Sequence, residues 1–175
     1  MSAEPLFSKD DLERLLDKFT RELDGVGVKG SIFLVGGAAL SLYYFDRDVT
    51  RDIDAALPHD ERVLSVILKI AKEENLAENW INADATQFFG FPPLGSWSIV
   101  KTIGNVQVRV ASPQMLLAMK LRAHRGRRDS EDIEELLKIC NITSIEEVET
   151  IYDSIYSQDV LKEEARLIVL SFLKG

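Results

Sequence analysis

The sequence has one cysteine, Cys140, so no internal disulfide can form, and the usage fits a reducing cytoplasm. Cys140 falls on a helical apolar stripe and reads as a buried structural thiol, not a nucleophile. No apolar run approaches the roughly 18 residues of a membrane span. The opening residues Met-Ser-Ala-Glu-Pro lack a basic segment and an apolar core, so no signal peptide is expected. There is no internal repeat, low-complexity tract or linker. Positive charge is also short. The net charge of -8 argues against general nucleic-acid coating, which depends on neutralising phosphates. It leaves room for a local basic site, because Lys120, Arg122, His124, Arg125, Arg127 and Arg128 crowd into nine residues.

Two familiar nucleotide signatures are absent in substance. Gly25-Val-Gly-Val-Lys-Gly30 matches G-x-G-x-x-G by letter, but a helical pattern ends before it and a strand pattern follows. A dinucleotide fingerprint needs the reverse order, so the glycines read as a helix C-cap and turn. A P-loop is excluded because Lys29 precedes Gly30 instead of following it.

What is present suffices for a core. The 175 residues are 46% hydrophobic, enough for one domain or one domain with a helical appendage. Ser8 and Asp11 resemble a capping box ahead of Leu12, Leu15, Leu16, Phe19 and Leu23 at helical spacing. A buried strand is expected over 31–35, a buried helix over 38–45, an acidic strand over 52–57 and a packing helix over about 60–74. Further short strands are expected over 86–90, 97–102 and 106–110, with a hairpin turn at Gly104-Asn105. Residues 80–84 read as a loop. From Pro113 onward the apolar stripes are helical throughout. The order argues an α/β (α+β) fold: a small mixed sheet flanked by helices over residues 1–112, then a C-terminal helical region over 113–175.

Chemistry concentrates in two stretches. In the first, an apolar strand runs through Gly36 and Gly37 into an apolar helix. Glycine lets a ligand approach the backbone, and free N–H groups at a helix start favour anions. The alternative is a tight turn and nothing more. In the second, Asp52 and Asp54 stand two apart on an extended segment, so their side chains share a face. Two converging carboxylates suit a divalent metal that bridges a phosphate chain; the alternative is a solvated strand end.

Together these stretches resemble the nucleotidyltransferase superfamily related to DNA polymerase β, whose signature is strand, Gly-Gly or Gly-Ser, helix, then Asp-x-Asp. More closely the chain is similar to minimal nucleotidyltransferase-like proteins of the AbiEii-toxin type. The stretches that carry this are Leu34-Val-Gly-Gly-Ala-Ala-Leu40, Arg47-Asp-Val-Thr-Arg-Asp-Ile-Asp54, Trp80-Ile-Asn-Ala-Asp84, Ala111-Ser-Pro-Gln-Met-Leu-Leu-Ala-Met-Lys-Leu-Arg-Ala123 and Arg127-Arg-Asp-Ser-Glu-Asp132. They cover roughly residues 30–140.

The resemblance implies transfer of a nucleoside monophosphate from an NTP to an RNA, such as a tRNA 3′ end, or to a protein hydroxyl, by a toxin paired with a cognate antitoxin. Asp52 and Asp54 would be catalytic ligands of Mg²⁺ or Mn²⁺, and Gly36 and Gly37 would hold the triphosphate. Thr50 would donate to a phosphate or orient Asp52. Arg47 and Arg109 are phosphate candidates, Arg47 equally a loop ion pair. Lys120 is the best phosphate or base contact from the helical half, sharing a helix face with His124. Asp129 and Asp132 can cap a helix, pair with Arg127 or reach the site, and Asp84 is a further candidate.

The superfamily's third carboxylate belongs on a later strand. Here that strand offers Gln107 and Arg109 and no acid. Two other readings therefore stand beside an enzyme: an inactive nucleotide- or protein-binding module, and a homodimeric interaction protein using the C-terminal helices.

Overall fold

The computed structural model describes residues 6–46, 50–124 and 127–174, the side chains of 127 and 128 excepted. The fold is α+β. Its elements are α1 (Lys9–Gly25), β1 (Gly30–Leu34), α2 (Gly36–Tyr43), β2 (Ile53–Ala56), α3 (Arg62–Glu74), β3 (Ile81–Asn82), β4 (Trp97–Ile103), β5 (Val106–Ala111), α4 (Pro113–Ala123), α5 (Arg127–Ile139), α6 (Ile145–Ile155) and α7 (Glu163–Leu173). They fall into two compact units, Met1–Thr86 with Trp97–Ala111, and Gln87–Ser96 with Ser112–Gly175.

The first unit is built on a five-stranded mixed sheet in the order β3-β2-β1-β5-β4. β1 runs parallel to β5 and antiparallel to β2, while β3 is parallel to β2 and β4 antiparallel to β5. Alternation along the strands divides residues between two faces. One face, with Ile32, Leu34, Ile53, Ala55, Val106, Val108 and Val110, is buried. It belongs to the core that α1 supplies with Leu12, Leu15, Leu16, Phe19 and Leu23. α1 packs on β4, β5, α2 and α3. The other face carries Ser31, Phe33, Asp54, Ala56, Gln107 and Arg109, all only half-buried.

Local signals explain the boundaries. Ser8 accepts from the Asp11 N–H, and Asp11 accepts from the Ser8 N–H, closing the capping box of α1. Gly27, at φ 80°, turns the chain after α1, and Gly30 opens β1. The G-x-G-x-x-G letters thus lead into a strand from a helix. Two expectations need correction. Residues 80–84 are not all loop, since Ile81 and Asn82 pair with Ile53 and Asp54 as β3. Residues 86–90 are not a strand, because 84–88 form a 3₁₀ turn. The Asp84 N–H donates to Asn82 Oδ1 at 3.0 Å, and the Thr86 hydroxyl donates to the Ala83 carbonyl at 2.7 Å. Those side-chain bonds tighten the backbone where the residue types alone suggest extension.

The second unit is helical. Ser112 caps α4 by accepting from the Met115 N–H, with Pro113 in the first turn. Ser144 and Glu147 close a capping box on α6. Arg122 lies 4.4 Å from the Tyr156 ring centroid and 2.9 Å from Asp159. Cys140 lies just past α5 and is half-buried; burial pushes its thiol up to about 11. No helix among the described residues is long and apolar enough to cross a membrane.

Candidate active site

The start of α2 and the approach to β2 meet in one corner of the first unit. Gly36 has φ 65°, a conformation that favours glycine. A Cβ there would lie 2.5 Å from Asp54 Oδ2, and one at Gly37 would lie 2.7 Å from Thr50 Oγ1. Those distances leave no room for a side chain. The two glycines therefore let backbone N–H groups, the Asp54 carboxylate and the Thr50 hydroxyl share one small space. The N-cap residue Val35 makes no side-chain cap bond. Its own N–H is held by the Asp54 carbonyl at 3.0 Å.

Thr50 is 5% exposed and fixed from outside the sheet. It exchanges two backbone hydrogen bonds with Phe7, at 2.7 and 3.2 Å. Its hydroxyl donates to the Asp52 carbonyl at 3.3 Å, which favours an orienting part for Thr50. Asp52 precedes β2 by one residue, and fully buried Ile53 separates it from Asp54. Asp52 and Asp54 are both half-buried.

Asn82, inside the stretch that the sequence reads as a loop, donates from Nδ2 to Asp52 Oδ2 at 3.0 Å. Its strand pairing with Asp54 is what brings it there. A two-residue strand is too short for periodicity to reveal.

Arg109 lies on the same sheet face as Asp54, two strands away, since Phe33 pairs with both Arg109 and Ala56. Adjacent strands are about 4.8 Å apart, which puts the two backbones roughly 10 Å apart. Arg109 donates to Gln107 Oε1 at 2.9 Å and its Cζ sits 6.0 Å from the Phe33 ring centroid. Trp97 meets Phe33 edge-on at 4.9 Å. On β5 the residues of this face are Gln107, Arg109 and Ala111, so no acid lies there.

The remaining candidates lie elsewhere. Asp84 is exposed at the start of the 3₁₀ turn. Arg47 lies outside the described residues, as does Arg125. Lys120, His124, Asp129 and Asp132 belong to the second unit. There Lys120 Nζ lies 2.7 Å from Asp129 Oδ1 and 2.8 Å from Asp132 Oδ2, and the side chains are 18%, 11% and 5% exposed. The two acids therefore bracket Lys120 and tie α5 to α4, a pairing not foreseen from the chain. The shared face for His124 also needs correction. His124 lies past the end of α4, and its ring contacts the Ser130 hydroxyl at 3.1 Å.

The donor set fits a hard cation in a limited way. Mg²⁺ often takes one or two carboxylates and completes its shell with substrate phosphates and water. Asp52 and Asp54 can supply those carboxylates, with Asp54 lying against Gly36 at the start of α2. Among the described residues no group of three or more His, Cys, Asp or Glu side chains is arranged for a metal.

A family model described as a nucleotidyltransferase of unknown function (DUF6036) matches residues 11–172. No curated protein and no solved structure gives a significant match.

Proposed function

The chain belongs to the DUF6036 family of nucleotidyltransferases, and on that footing we propose that it transfers a nucleoside monophosphate from an NTP to a hydroxyl of an RNA or protein acceptor. The observation that carries this reading is the contact of the Asp54 carboxylate with Gly36, beside that of Thr50 with Gly37. The glycine N–H groups at the start of α2 bind triphosphate oxygens, helped by the positive end of that helix. Asp52 and Asp54 hold Mg²⁺ or Mn²⁺, which when bound withdraws charge from the phosphates undergoing displacement. Thr50 fixes the backbone at Asp52. Arg109, on the same face, takes an oxyanion of the nucleotide or acceptor.

In the transfer, the acceptor oxygen bonds to the α-phosphorus, the bond to the bridging oxygen of the β-phosphate breaks, and pyrophosphate leaves. With no acid on β5, the hydroxyl proton passes to a carboxylate of the pair or to water. The resemblance to AbiEii-type proteins suggests a toxin role with a cognate antitoxin, and the basic residues from Lys120 to Arg128 suit an RNA acceptor such as a tRNA 3′ end. Incubation with each labelled NTP, Mg²⁺ and total tRNA or cell lysate should yield a labelled acceptor. Equal labelling by Asp54→Ala and wild type would sink the proposal.

One observation favours a second reading. Gln107, Arg109 and Ala111 fill the face of β5 where a third carboxylate would stand. A nucleotide-binding module without turnover would show saturable NTP binding by calorimetry and no Asp52-dependent product.

A further inference from the structure

We propose that Asn82 is the positioning residue for Asp52: its amide occupies one carboxylate oxygen and leaves the other, Oδ1, as the oxygen offered to the metal. The inference rests on the nucleotidyl-transfer reading above, because it needs Asp52 to be a ligand.

Asn82 is firmly held through its neighbours. Trp80, just before β3, is 1% exposed, and its indole N–H donates to the Ile67 carbonyl of α3 at 3.2 Å. Its ring meets Phe19 of α1 edge-on at 5.8 Å. The Trp80 carbonyl accepts from the Ile53 N–H at 2.8 Å, and the next residues pair Ile53 with Ile81 and Asp54 with Asn82. A core aromatic thus sets the register between β3 and β2, and the register sets Asn82.

The orientation of the amide follows from its three bonds, the longest from Nδ2 to the Asn79 carbonyl at 3.5 Å. Oδ1 accepts from the Asp84 N–H at 3.0 Å, so Nδ2 faces the other way and donates to Asp52 Oδ2 at 3.0 Å. A flipped amide would set its oxygen against the carboxylate and the Asn79 carbonyl, and its NH₂ against a backbone N–H, losing all three bonds. Asp52 Oδ1 has no hydrogen-bond partner among the described residues. Asn82 supplies a directed donor and no charge. It can orient Asp52 without competing for the carboxylate as a lysine or arginine would. Groups that orient metal ligands in this way affect metal affinity as well as rate.

The test compares wild type with Asn82→Ala, Asn82→Leu and Asp52→Asn. Mn²⁺ binding is followed by electron paramagnetic resonance in the presence of a non-hydrolysable NTP, and melting temperature is measured in parallel. Both Asn82 variants should weaken Mn²⁺ binding about 10-fold or more. They should raise the Mn²⁺ concentration for half-maximal transfer by a similar factor. Saturating Mn²⁺ should return the rate to within a few-fold of wild type. Melting should stay within a few degrees of wild type; should one variant fail to fold, the other carries the test.

Unchanged Mn²⁺ affinity in a folded Asn82 variant, with binding lost in Asp52→Asn, would overturn the inference and leave the metal reading intact. A lower rate at saturating Mn²⁺ with unchanged affinity would overturn it too, showing a merely structural part. Wild-type Mn²⁺ binding by Asp52→Asn would instead remove the metal reading and the inference together.

Discussion

Two pairs of aspartates in this chain meet opposite fates. Asp52 and Asp54 stand half-buried at the start of β2, one held by a neutral amide and the other pressed on a glycine backbone. Asp129 and Asp132 are 8% and 4% exposed and bracket Lys120. The second pair ties one helix to the next at the cost of withdrawing its charge from solvent. The first pair keeps part of its surface in solvent beside the start of α2. Residue type is the same in both. Access and the kind of partner separate a structural acid from a candidate ligand.

Substitutions can break or sharpen that contrast. The largest effect should come from Lys120→Ala, which removes the ammonium bridging two buried carboxylates and should cost about 3 kcal/mol by chemical denaturation. Replacing the triad together, by Lys120→Met, Asp129→Leu and Asp132→Leu, should recover most of that loss. If the triple variant also keeps transfer activity, Lys120 has no part in the chemistry; if it is stable but inactive, the contrast is too simple. Next, Asp54→Asn should lower transfer about 10²- to 10³-fold while leaving the melting temperature near wild type. A stability loss as large as that of Lys120→Ala would place Asp54 among the structural acids.

Smaller effects test the pocket wall. Gly37→Ala forces Thr50 or the backbone aside and should lower transfer about 10- to 100-fold, with the loss read at saturating NTP. Gly36→Ala adds a positive-φ penalty of roughly 1 kcal/mol or more to the same crowding, so its melting point should fall further than that of Gly37→Ala.

Acid titration addresses the surface. Hydrogen bonds hold the carboxyls of Asp11 and Asp17 below the usual range, through Ser8 and Lys101 respectively. Glu74 is lowered through Lys18, Glu147 through the Thr143 N–H, and Asp60 to about 2 through Arg62. A folded-state pKa below the unfolded one adds stability above the unfolded pKa and loses it as pH falls through the folded value. Melting temperature should hold from neutrality to about pH 5 and decline below about pH 4. The smallest effect concerns Cys140. With its thiol at about 11, alkylation at neutral pH should be slow in the native protein and fast in denaturant.

Much of this was legible in the chain. The Ser8–Asp11 box, the Gly36–Gly37 junction and the Gly104–Asn105 turn all rest on short-range chemistry that a sequence displays. The alternation around Ile53 survives because a buried β-branched residue between two acids has one sensible face. What escaped depends on contacts across the chain. β3 is two residues long and exists because Trp80 anchors it, so no pattern marks it. The 3₁₀ turn at 84–88 follows from an Asn82 side-chain bond that outweighs strand-like residue types. Lys120 reads as a phosphate or base contact until α5 brings Asp129 and Asp132 against it. Asn82 was within reach, as a polar residue beside an anchoring tryptophan, but only the register with Asp54 gives it an object.

The backbone bridge between Phe7 and Thr50 has a practical consequence. It makes the stretch just before α1 a latch on the pocket wall, with the 4%-exposed Phe7 ring as its seat. Protease nicking at this latch, or a bulky fusion joined close to Leu6, would loosen Thr50 while leaving the sheet and its helices standing. A preparation can therefore look folded by every bulk measure and still have a slack pocket, so an affinity handle is better carried at the far end, beyond α7.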